Sequence, residues 1–179
     1  GTDVRHGYQN GKTGEYTDIL SDSGSSVTCC GPNDFPDTKI EPGPERHYRT
    51  SKGNYLKFYG YKKVRVIAED QTRMQITFTV LDVVRPIMSV SDAQSKHQID
   101  THYTTRGSYM ERRSTTGVKR LGLAARTGLF FLQVMVTTAT TVKSGTNSDH
   151  SGMVTVPTMN VNSTSYGKHV RFTMNVEED

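Results

Sequence analysis

The segment TDILSDSGSSVTCC, residues 17–30, sets an acid, two small hydroxyl residues and a glycine directly behind an apolar pair. Asp-Ser-Gly-Ser is common in ordinary turns, because an Asp side chain readily accepts a hydrogen bond from its own backbone two residues on. Its neighbours give it more meaning. Asp18-Ile19-Leu20 leads in as a strand, Asp22 stands at the turn, and Ser26-Val27 leaves as a second strand.

The pattern extends outward from there. From Tyr16 onward, apolar and β-branched residues recur in short runs separated by Gly, Pro, Asn and Asp, the signature of strands joined by turns. Strands are expected at Tyr16 to Leu20, Ser26 to Cys30, His47 to Ser51, Tyr55 to Phe58, Lys63 to Glu69, Met74 to Asp82, Ile87 to Val90 and Leu129 to Thr137. Pro32 to Pro44 holds four of the six prolines and reads as a loop, since proline breaks both sheet ladders and helix interiors. Lys52-Gly53-Asn54 punctuates two strand-like runs as a hairpin turn would. The one good helical signal lies at Ser89 to Lys96, with Ser91 as its expected cap. Residues 1–17 read as a flexible, Gly-rich arm, 18–137 as the folded domain, and 138–179 as a linker with a possible C-terminal hairpin, strands being expected at Met153 to Val156 and Val170 to Val176.

At 179 residues the chain suits one domain of moderate size. The formal net charge of +4 arises from 22 basic and 18 acidic residues, a mild bias that does not mark a dedicated nucleic-acid binder. The positive charge concentrates between Arg106 and Arg126, which reads as a solvated basic loop, with a phosphate-contacting patch as the functional alternative. The two cysteines, Cys29 and Cys30, are adjacent; a disulfide between sequence neighbours is strained, so free thiols in a reducing, intracellular compartment are expected. No apolar run approaches the length of a membrane span, and no charged-then-apolar leader opens the chain. The start at Gly1 reads as that of a fragment or processed product. The six histidines lack a metal-ligand spacing, so neither a metal nor any other cofactor is expected.

An aspartate delivered by a strand into a tight turn suits acid proteolysis. That reaction needs two carboxylates sharing a proton, one activating a water and the other protonating the substrate carbonyl. Asp22 has no second Asp-Ser-Gly or Asp-Thr-Gly to partner it; Asp149-His150-Ser151-Gly152 has the wrong order. A second aspartate would have to come from an identical subunit across a two-fold axis.

The order DSGSS, then a Pro-rich loop, then TSKGNYLKFYGYKKVRV, then ITFTVLDVVRPIMSVSDAQ resembles a retropepsin-like aspartic protease, above all the protease region of Copia-type retrotransposon polyproteins, over about residues 18–137. The resemblance implies a mainly β, single-lobed acid-protease β-barrel with one short helix, active as a homodimer on a polypeptide substrate in polyprotein processing. It implies Asp22 as the catalytic acid; Ser23, Gly24 and Ser25 as its turn, Ser25 in a supporting role; Ser51, Lys52, Gly53 and Asn54 as a flap tip; and Ile87, Met88 and Ser89 as a segment bracing the active-site loop. Ser21 departs from the bulky aliphatic residue that most active relatives carry before the Asp. Two alternatives stay open at this stage. One is a catalytically inactive structural or interaction subunit of a larger protein or nucleoprotein assembly, bound through the Arg106–Arg126 segment. The other is a β-sandwich unrelated to proteases, with residues 18–30 in an exposed loop.

Overall fold

Tyr16–Asp22 forms β1, with every residue after Tyr16 buried. Both faces of this strand must therefore meet protein, and two apolar clusters provide the partners. Ile19 enters the larger cluster with Val64, Met74, Ile76, Phe78, Met88, Leu132 and Val134. Leu20, one residue on and facing the opposite way, enters a second cluster with Val27, Cys29, Tyr48, Leu81, Ile87 and Phe131. The structure, a computed structural model, describes residues 9–137 and the backbone of 176–178.

The remaining elements follow in chain order: β2 (Cys29–Cys30), β3 (Tyr48–Thr50), β4 (Tyr55–Leu56), β5 (Phe58–Ala68), β6 (Arg73–Leu81), β7 (Ile87–Ser89), α1 (Val90–His97), β8 (Ile99–His102), β9 (Tyr109–Ser114), β10 (Gly117–Gly122), β11 (Ala124–Arg126), β12 (Leu129–Val136) and β13 (Val176–Glu178). The protein is mainly β with one short helix. The main sheet runs β1-β7-β2-β6-β5-β12-β11, and β12 also pairs with β1, so six of its strands follow one another in a ring of pairings.

The longest pair, β5 with β6, shows why these residues are strands. Lys62, Val64, Val66 and Ala68 are buried in alternation with outward Lys63, Arg65 and Ile67, and Met74, Ile76, Phe78 and Val80 answer them across the ladder, the period-2 pattern of a sheet with one face on the core. β5 begins at Phe58, earlier than Lys63, because a register shift at Gly60 lets it keep pairing with β6. Gly60 has φ +134, and a Cβ there would sit 2.6 Å from the Glu41 carbonyl oxygen, so only glycine permits the Glu41–Tyr61 bridge beside it.

Four expectations need correction. The basic segment is not a loop: β9 and β10 form an antiparallel hairpin on β8, and β11 pairs with β12. These strands are polar on one face and carry little apolar sequence, four of the six β10 residues being exposed in succession, so periodicity does not reveal them. The expected strand Ser26 to Cys30 shrinks to Cys29–Cys30, because Ser25 and Ser26 belong to the turn. The helix is capped at Ser89 and not Ser91, and Ser89 makes no side-chain cap bond, since its hydroxyl is used elsewhere. Finally, residues 9–15 are tied down within the expected arm: Gln9 accepts a hydrogen bond from Thr17, Asn10 from the Phe35 N–H, and Gly14 donates to Val136. Residues 1–8, 138–175 and 179 lie outside the described residues, and with them the strand expected at Met153 to Val156 and the start of that expected at Val170 to Val176; β13 pairs with β3.

Candidate active site at the end of β1

Asp22 is the last residue of β1, and β7 runs parallel beside it, pairing Leu20 with Ile87, Ser21 with Met88 and Asp22 with Ser89. The chain then turns over Ser23 and Gly24, which reach the surface, while Asp22 beneath them is 0% exposed. One carboxyl oxygen, Oδ1, accepts the Gly24 N–H at 2.6 Å. The other, Oδ2, is buried with no hydrogen-bond partner. Burial pushes the Asp22 pKa up to about 8, against the opposing pull of the Gly24 and Ser25 backbone N–H groups, so the folded chain holds a neutral carboxylic acid at neutral pH.

Ser25 supports this turn by a route the sequence does not show. Its hydroxyl donates to the Val27 carbonyl at 2.7 Å, and its backbone N–H is the group that acts on Asp22. Ser89 then binds the turn to β7 from both sides: its hydroxyl donates to the Ser25 carbonyl, and its N–H donates to Thr28 Oγ1 at 3.0 Å. Ile87 and Met88 fill the two apolar clusters on opposite faces of β7. The structure thus brings Asp22, Ser23, Gly24 and Ser25 together with Ile87, Met88 and Ser89.

Ser51, Lys52, Gly53 and Asn54 sit elsewhere, at the exposed tip of the β3–β4 hairpin. Gly53, at φ +90, donates to the Thr50 carbonyl and closes the turn, and Thr50 Oγ1 accepts from Lys52 and Asn54. The hairpin meets the body through its root, where Tyr48 packs into the cluster holding Leu20 and Val27.

Tyr103 is a site residue that sequence reasoning missed. It follows β8, and its hydroxyl lies 2.7 Å from Ser21 Oγ and donates to the Ser21 carbonyl at 3.3 Å. Phe130 packs against its ring at 4.6 Å between centroids. Burial raises the Tyr103 pKa, the Ser21 bond offsets part of this, and the charge of Asp22 adds to it. The polar Ser21 directly after the apolar Ile19-Leu20 pair was the available signal, and it did not name the partner.

The thiols are free and buried. Burial, then Cys30 and Asp22, pushes Cys29 far up; burial takes Cys30 to about 12 against the pull of Lys62. Both are neutral packing groups and not nucleophiles. Among the described residues no cluster of His, Cys, Asp and Glu could hold a metal ion, and no helix is long and apolar enough to cross a membrane. The positive charge of the Arg106–Arg126 segment is partly neutralised within the fold: in the β9–β10 hairpin buried Glu111 pairs with Arg113 at 3.1 Å and Arg120 at 2.9 Å, and Arg126 of β11 pairs with Asp18.

No protein-family model, curated protein or solved structure matches this chain. Its own geometry therefore carries the functional argument.

Proposed function

We propose that this chain is one half of a retropepsin-like aspartic endopeptidase, its ring of pairings forming the single-lobed barrel, and that two copies complete the site with one Asp22 each. The observation that carries the reading is the Asp22 carboxyl itself. It stands at the end of a strand braced by a parallel neighbour, with one oxygen held by turn amides and the other buried without a partner. A protonated carboxyl held this way is the acid half of the required pair, and an ionised Asp22 from the second copy is the base half.

In the reaction the ionised carboxylate takes a proton from a water. The water oxygen bonds to the scissile carbonyl carbon while the neutral carboxyl gives its proton to the carbonyl oxygen. The resulting gem-diol collapses as the C–N bond breaks: the carboxyl that took the water proton gives it to the leaving nitrogen, and the other carboxylate recovers a proton from a gem-diol hydroxyl, so the pair is restored and no covalent enzyme intermediate forms. Activity then requires one proton on the pair, which favours acidic to near-neutral pH.

A second reading, a catalytically silent interaction subunit, is favoured by one observation: Asp22 is fully enclosed within a single chain. The two readings separate in one experiment. A diverse peptide library is incubated from about pH 4 to about pH 7 with the wild-type chain and with Asp22→Asn, and the solution mass of each is recorded. Pepstatin-sensitive cleavage, confined to dimeric fractions and lost in Asp22→Asn, is the expected result. A folded wild-type chain without Asp22-dependent cleavage leaves the interaction subunit standing.

A further inference from the structure

Beyond the Asp22 turn, the β3–β4 hairpin has an outer edge that a distant part of the same chain covers. β13 pairs antiparallel with β3, setting Val176 opposite Thr50, Glu177 opposite Arg49 and Glu178 opposite Tyr48. These strands form a sheet of their own in the order β13-β3-β4, and among the described residues β13 joins no other strand.

The backbone of β3 divides its hydrogen bonds between its two sides. Thr50 donates to the Asn54 carbonyl within the hairpin at 2.9 Å. Consecutive residues of a strand turn their N–H and C=O to opposite sides, so Arg49 presents both groups to the outer edge, where Glu177 faces it. A donor and an acceptor offered together in strand register match an extended polypeptide, which answers with a carbonyl and an N–H. A carboxylate or phosphate group supplies acceptors alone and leaves the Arg49 carbonyl unanswered.

Charge selects the kind of polypeptide. From Glu45 to Lys57 four cations, Arg46, Arg49, Lys52 and Lys57, stand with one acid, Glu45, a net charge of +3, and Glu177, Glu178 and Asp179 bring three acids to match it. Asp92 and Lys96, which line one cavity with Arg46, Tyr48 and His97, pair with each other at 3.6 Å and leave this balance unchanged. The resident occupant is therefore an acidic strand on a basic edge. Three residue pairs hold it, and hydrogen bonds exchanged with water have a small net worth each. Such a strand detaches readily, and the uncovered edge is a template for another chain.

We propose that the outer edge of β3 is an acceptor site for an acidic, extended segment of another protein, added as a strand, and that Val176–Glu178 is the resident occupant which this partner displaces. The inference rests on the hairpin and its edge, and goes beyond the peptidase reading.

The test uses the full chain, hydrogen exchange at the Arg49 N–H read by NMR, and a synthetic peptide of residues 173–179, TMNVEED. Glu177→Pro removes the N–H that faces Arg49, and exchange at Arg49 is expected to quicken about tenfold. Amide shifts in β5 and β6 are expected to stay as in the wild type, because β13 pairs with neither. Glu177→Lys keeps the backbone donor and inverts the charge, so it is expected to quicken Arg49 exchange in the same direction without any proline effect. The peptide is expected to bind both variants about tenfold more tightly than the wild type, where the resident strand competes, and to slow Arg49 exchange again. With its three acids amidated it is expected to bind about tenfold more weakly at low salt, the gap closing as salt is raised. Unchanged Arg49 exchange in both variants, equal affinity of the peptide for variants and wild type, or equal affinity of the acidic and amidated peptides would overturn the proposal. So would wild-type protection of Arg49 that rises with protein concentration, which would give the edge to the same strand of a second copy. No readout here involves cleavage, so this proposal and the peptidase reading stand or fall separately.

Discussion

Asp22→Asn preserves the shape of the side chain and the Oδ1 acceptor for the Gly24 N–H, while removing the group that titrates. The pKa of that group rises from an ordinary 3.8 to about 8 on folding, chiefly through burial. A raised acid pKa means that the folded state keeps a proton the unfolded chain has lost. The associated stability is complete below about pH 4, falls as pH rises through the window between the two pKa values, and levels off above about pH 8. Within that window each pH unit costs the wild type about tenfold in its folding equilibrium, so from about pH 5 to about pH 7 it loses roughly a hundredfold, about 3 kcal/mol, relative to Asp22→Asn. Asp34, pushed up to about 6 by burial, titrates in the same window but is common to both proteins and drops out of the difference. Urea unfolding followed by tyrosine fluorescence, the chain having no Trp, gives both stabilities across the range. If the two curves run parallel, the Asp22 carboxyl is ionised and reached by water in the folded chain, and the burial argument is wrong.

Other substitutions test the supports around the site. Lys62 is 3% exposed, and its ammonium donates to the carbonyls of Pro32, Asp34 and Phe35; Lys62→Met strands those acceptors, and a loss of about 3 kcal/mol is expected in urea unfolding, with a change under about 1 kcal/mol contradicting this account. The Tyr103 and Ser21 hydroxyls meet at 2.7 Å, so a double-mutant cycle of Tyr103→Phe and Ser21→Ala is expected to show coupling of about 1 kcal/mol, whereas strictly additive losses would place the hydroxyls apart. Gly11 has φ +81, and a Cβ there would meet the Phe35 ring at 2.5 Å; Gly11→Ala is expected to cost about 2 kcal/mol and to speed hydrogen exchange at the Phe35 N–H, which Asn10 holds. Unchanged exchange there would mean that residues 9–15 are not pinned by this contact.

What the sequence by itself determined was local. Alternation within Lys63 to Glu69 and Met74 to Asp82 marks two half-buried strands, because the side-chain period of a strand is two; their pairing, and the extension of the first back to Phe58 past the irregularity at Gly60, come from the structure. SDSGS after an apolar pair requires a strand ending in a turn with Asp at its start, and the four-proline loop and the helix after Ile87-Met88-Ser89 follow from backbone chemistry of the same short range. Where strands are polar and one-sided, as in β9 and β10, that local signal fails, and the Arg106–Arg126 segment reads as loop although it is sheet.

Only the tertiary structure decided who meets whom. Asp22 owes its raised pKa to enclosure by residues distant in sequence, and Ser89, Thr28 and Ser25 lock the turn across more than sixty positions. Tyr103 arrives at Ser21 from eighty-two residues away. Lys62 occupies an inward position that alternation would assign to an apolar side chain, and it is buried because its long stem delivers the ammonium to three loop carbonyls. Arg46, Lys96 and His97 have no common motif, and one cavity gathers them because β6 and α1 happen to face each other there. Hydrogen bonding and desolvation act over a few ångströms of space regardless of sequence separation, so pattern along the chain specifies the strands and the turn, while the packing of those strands sets the chemistry at their ends.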